Sequence, residues 1–77
     1  MPASRQESLD RIEQQIRAYE AYDLAEKARF ARESWLWTAE ERIEWQETQS
    51  DNGRVLRDLR EQADALRQKL TPFQKPA

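Results

Sequence analysis

Glu33-Ser34-Trp35-Leu36-Trp37-Thr38-Ala39-Glu40-Glu41 is the stretch on which the fold of this chain turns. Three large apolar residues, Trp35, Leu36 and Trp37, stand in a row in a chain that is 36% charged. Consecutive helix positions lie about 100° apart, so the three span about 200° of a helix surface. One buried helix face in a small monomer does not cover all of them. At least one is expected to meet another chain of the same kind or a partner protein. Trp45 follows just over two turns later. Thr38-Ala39-Glu40-Glu41 also reads as a helix start, with acids in the first turn where the helix dipole favours them.

Upstream, Ser4-Arg5-Gln6-Glu7 is a capping-box pattern, Ser4 as N-cap and Glu7 at N3. Leu9, Ile12, Ile16 and Tyr19 repeat at helical spacing and mark one buried face. Glu7 with Arg11, and Glu13 with Arg17, read as i,i+4 pairs on the outside. The next two positions of that stripe are Asp23 and Glu26, both charged. A second stripe, Leu24, Ala28, Ala31, Trp35, Ala39 and Ile43, is expected to take over. A helical arm over residues 4–49 is the expected first element, either continuous or broken, at Asp23-Leu24-Ala25-Glu26, which resembles a second cap, or more readily close to Ser34–Thr38.

Downstream, Ser50-Asp51-Asn52-Gly53 reads as the turn, since Asn-Gly readily supplies left-handed conformations. Leu56, Leu59, Ala63, Leu66 and Leu70 then follow helical spacing and predict a return helix over 54–70. Thr71-Pro72 ends it. Residues 1–3 are expected to be a disordered N-terminus and 71–77 a flexible tail. The expected fold is all-α, a long arm with a shorter return helix, as a helical hairpin or a three-helix arrangement. The single domain would span 4–70.

The 77 residues include no cysteine and no histidine, so disulfides and thiolate or imidazole zinc sites are excluded. No calcium-loop pattern is present, and neither a metal nor a cofactor is expected. A core this small is marginal, and oligomerisation is the remaining way to bury more surface. A homodimeric helical bundle is therefore expected, with Leu9, Ile12, Ile16, Tyr19, Leu56, Leu59, Leu66 and Leu70 in its seams. The longest large-apolar run has three residues and does not suggest a membrane span. The polar N-terminus lacks a signal core, and zero cysteine fits a reducing cytoplasm.

Net charge is −2, but it is unevenly placed. Residues 33–53 carry Glu33, Glu40, Glu41, Glu44, Glu47 and Asp51 against Arg42 alone. The basic residues Arg54, Arg57, Arg60 and Arg67 follow on the return helix, among Asp58, Glu61 and Asp64. Glycine-rich phosphate loops, a nucleophile elbow and cysteine or histidine nucleophile chemistry are absent, and catalysis is not expected. The expected role is non-catalytic: a protein–protein interaction module acting as adaptor, assembly factor or small inhibitor, of the compact kind that mobile elements often encode. Its contact surface would include Trp35, Leu36, Trp37, Trp45, Glu40, Glu41 and Glu44, since tryptophan dominates interface hot spots. The plain alternative is that the tryptophans are core. Two other roles stand beside it, a nucleic-acid-associated regulator using Arg54, Arg57, Arg60 and Arg67, and a structural subunit of a larger complex.

Overall fold

The computed structural model describes residues 4–70; the expected disordered N-terminus at 1–3 and flexible tail at 71–77 lie outside the described residues. The described chain is all-helical. Helix α1 spans Arg5–Glu33, a single 3₁₀ turn spans Ser34–Leu36, and helix α2 spans Ala39–Leu70. The helices run antiparallel and pack along their length. Glu13 meets Arg67 and Glu20 meets Arg60, so the ends of α1 and α2 approach in reverse order.

The chain reverses at Ser34–Thr38, not at Ser50–Gly53. Thr38 is the reason. Its Oγ1 accepts from the Glu41 N–H at 3.1 Å, and the Glu41 carboxylate accepts from the Thr38 N–H at 3.0 Å. This reciprocal box starts α2 and satisfies donors that a helix start leaves open. The end of α1 is closed as economically. The Ser34 N–H donates to the Phe30 carbonyl, and the Trp35 indole N–H donates to the Arg32 carbonyl at 2.9 Å. The Ser34 carbonyl accepts from the Trp37 N–H at 3.0 Å and from Arg42 Nε at 2.8 Å. No residue there needs a positive φ.

The expected arm over 4–49, turn over 50–53 and return helix over 54–70 are therefore corrected to two helices of 29 and 32 residues. Residues 50–53 are helical. Their turn propensity is overruled because Trp45, Gln49, Asn52, Leu56, Leu59, Ala63, Leu66 and Leu70 form one unbroken 4-3 seam through them. A glycine inside a helix costs about 1 kcal/mol, less than breaking that seam would.

The first stripe also continues where a change was expected. Leu9, Ile12, Ile16 and Tyr19 run on through Asp23, Glu26, Phe30 and Glu33, all partly buried. Leu24, Trp35 and Ile43 of the expected second stripe are instead 72%, 71% and 53% exposed, with Ala28, Ala31 and Ala39 also exposed. The seam tolerates Glu26 because Arg29 neutralises it through two hydrogen bonds of 2.8 and 2.9 Å. Asp23 is paired with Lys27 at 2.9 Å. Glu13 bonds across to Arg67 at 2.7 Å, where a local pair with Arg17 was expected.

Two helices do not enclose a core. Among the described residues only Leu9 and Ala63 are buried, at 6% and 0% exposure. The radius of gyration is 17.3 Å, against roughly 11–12 Å for a compact domain of this length. Most seam residues, among them Ile12, Ile16, Tyr19, Leu56, Leu59, Leu66 and Leu70, are half-buried.

Candidate interaction surface at the hairpin tip

The 3₁₀ turn separates three adjacent apolar side chains by direction. Trp35 and Leu36 point to solvent, 71% and 67% exposed. Trp37, the first residue past the 3₁₀ turn, has extended backbone and turns inward. There it joins Phe30 of α1 and Trp45 of α2. Phe30 stacks on Trp45 with centroids 4.4 Å apart and meets Trp37 edge-on at 5.6 Å. The Trp37 and Trp45 centroids are 6.5 Å apart. Arg29 caps the cluster, its guanidinium carbon 4.8 Å from the Trp37 ring centroid.

Of the expected contact residues, Trp37 and Trp45 thus serve the interior, and Trp35 and Leu36 remain on the surface. Phe30 was not singled out in the sequence. Its signal was available: it is the position that keeps the Leu9–Tyr19 spacing once Asp23 and Glu26 are accepted as seam residues. The aromatic cluster fixes the tip, and the Trp35 indole bond to the Arg32 carbonyl fixes its side chain. The Trp35 side chain is thus held in place by the turn itself.

The acidic residues lie beside this knob at the start of α2. Glu40, Glu41 and Glu44 are all exposed. Glu41 belongs to the cap, and its pKa is lowered chiefly by the Thr38 backbone N–H and then by the Thr38 hydroxyl. Glu26, deeper in the seam, is lowered chiefly by its hydrogen bond with Arg29. The Trp45 indole N–H is shielded and has no hydrogen bond of good geometry. It still lies close enough to Glu26 to add a smaller lowering. Both amide atoms of Gln49 are likewise shielded and unbonded among the described residues.

The two flanks of the hairpin seam differ. On one flank α1 presents Glu13, Glu20 and Lys27 and α2 presents Gly53, Arg60 and Arg67. Here Glu20 meets Arg60 at 2.8 Å and Glu13 meets Arg67 at 2.7 Å. On the other flank the same heptad rows are Ser8, Gln15, Tyr22 and Arg29 on α1, with Thr48, Val55, Gln62 and Lys69 on α2. No ion pair joins the helices on that flank among the described residues. Tyr22 and Val55 are 48% and 40% exposed there. Grooves open on both flanks, one lined by Ala18, Tyr19, Tyr22, Thr48 and Asn52 on this side and one lined by Lys27, Gln49, Ser50 and Gly53 on the other.

Most of the basic residues on α2 are paired with carboxylates. Arg60 and Arg67 are engaged with Glu20 and Glu13, Arg67 also with Asp64 at 2.9 Å, and Arg54 with Asp51 at 3.2 Å. Arg57 lies exposed on α2. Among the described residues no cluster of potential metal ligands occurs, and no helix is long and apolar enough to cross a membrane. No protein family, curated protein or solved structure matches this chain.

Proposed function

We propose that this chain is a non-catalytic protein-binding module that modulates its partner, with the hairpin tip as its contact surface. The observation that carries this reading is the outward pair Trp35 and Leu36, 71% and 67% exposed on a turn tied down by hydrogen bonds. A rigid exposed tryptophan is the residue type most enriched at binding hot spots. With Glu40 and Glu44 exposed on the first turns of α2, the complementary site is an apolar pocket edged by lysine or arginine. The thin, half-buried seam supports a homodimer as the working form. Zero cysteine supports a reducing cytoplasm as its place of action.

The test is affinity capture with the intact chain and with Trp35→Ala, each checked for helix content. Partner retained by the intact chain and lost by Trp35→Ala at equal helicity supports the reading. Equal capture by both sinks it.

A further inference from the structure

The two flanks of the seam are not equivalent, and the difference says where a second copy sits. The flank bridged by Glu13–Arg67 and Glu20–Arg60 is occupied by charge. On the other flank the central rows are uncharged, Gln15 and Tyr22 on α1 and Thr48, Val55 and Gln62 on α2. In a four-helix bundle the helix stripe widens from two heptad positions to three, and only this flank supplies a third that can be buried. We propose that a second copy of the chain covers this open flank, with α1 seated over the partner's α2, so that both tips lie at the same end of a four-helix bundle. This rests on the self-association stated above.

Area fits a second copy. At 1.5 Å per residue α1 is about 44 Å long, and two helices side by side are roughly 20 Å wide. One hairpin face thus offers about 800–900 Å², close to the roughly 800 Å² each partner contributes to a stable interface. The amides of Gln15 and Gln62 each donate and accept, so the face is compatible with its own copy.

Charge decides the arrangement. The heptad row bordering the open flank on α1 is Arg11, Ala18, Ala25 and Arg32, whose only charges are positive. The bordering row on α2 is Glu44, Asp51, Asp58 and Ala65, whose only charges are negative. Seating α2 on the partner's α2 would put these carboxylates against their own copies around Asp58. Seating α1 on the partner's α2 sets the basic row against the acidic one. That choice makes the two-fold axis run along the bundle and brings both Trp35–Leu36 knobs to one end. The bundle then presents two hot spots side by side, and a partner with two matching pockets gains from both.

Sedimentation of the full chain over a concentration series comes first, with Val55→Arg on the open flank and Leu24→Arg on the outer face of α1. A dimer that Val55→Arg weakens about tenfold or more, and that Leu24→Arg leaves intact, is expected from a charge buried in the interface. The chain has no cysteine, so Leu36→Cys carries a single nitroxide whose distance to its copy is measured by pulsed electron paramagnetic resonance. This needs no disruption of the seam and stays informative if Val55→Arg unfolds. A distance of about 10–25 Å is expected from neighbouring tips, and about 45 Å or more from tips at opposite ends. A monomer at every concentration overturns self-association and this arrangement together. A dimer with the long distance overturns the arrangement alone, and a dimer dissociated by Leu24→Arg rather than Val55→Arg overturns the face.

Discussion

Glu20 and Arg60 stand forty residues apart in the chain and meet at 2.8 Å across the hairpin. With Glu13 and Arg67 one heptad nearer the open end of the hairpin, they fix the register of α2 on α1 and bridge one flank. Both side chains of the Glu20–Arg60 pair are about half exposed. Their energetic coupling is therefore expected to be small, about 0.2–1 kcal/mol, and to shrink with added salt. A double-mutant cycle on Glu20→Gln and Arg60→Gln reads it directly. Coupling well above 1 kcal/mol, or coupling that does not shrink with salt, would contradict a solvent-exposed pair.

Gly53 tests whether α2 is continuous. It is helical, and a Cβ built on it meets nothing within 4 Å. Gly53→Ala is accordingly expected to raise stability by about 0.5–1 kcal/mol, read from a denaturant midpoint. Were Ser50–Gly53 a left-handed turn, the same change would destabilise.

Thr38 starts α2 with its hydroxyl. Thr38→Ala is expected to cost about 1 kcal/mol, as for other lost N-caps, while Thr38→Ser keeps most of the stability. No loss in thermal melts of Thr38→Ala would mean the box does not set the reversal.

Acid sensitivity follows from the same box. Glu41 has a lower pKa folded than unfolded because the Thr38 backbone N–H and hydroxyl favour its ionised form. A lowered pKa contributes stability that is fully present above the unfolded carboxylate value and fades as pH falls through the folded value. Glu26, held low chiefly by Arg29, works in the same direction. Stability is therefore expected to fall on acidification, and Glu41→Gln to flatten that acid limb. An unchanged pH profile in Glu41→Gln would speak against the cap.

Much of this architecture is written plainly in the sequence. Both capping boxes, at Ser4–Glu7 and Thr38–Glu41, can be read from residue type and spacing, and the Ser4 hydroxyl does accept from the Glu7 N–H at 3.1 Å. Elsewhere in the chain local signals compete with long-range ones. Ser50-Asp51-Asn52-Gly53 has strong turn chemistry, yet Gln49 and Asn52 keep the spacing of a seam whose apolar members lie further on. Asp23 and Glu26 look like the end of a buried stripe because charge is costly to bury. Arg29, three residues after Glu26, removes that cost and is itself spread on Trp37. The opposite directions of Trp35 and Trp37 were not legible either, because a 3₁₀ turn rotates successive side chains differently from an α-helix.

The central claim is that Trp35 alone among the tryptophans faces outward while Trp37 and Trp45 pack with Phe30. The most direct measurement is fluorine NMR of the chain labelled with 5-fluorotryptophan, comparing spectra in light and heavy water. One resonance with a full solvent-isotope shift, absent in Trp35→Phe, and two with much smaller shifts are expected. If the exposed resonance survives in Trp35→Phe, or all three respond to solvent alike, the tip does not present Trp35 as described and the binding surface built on it is wrong.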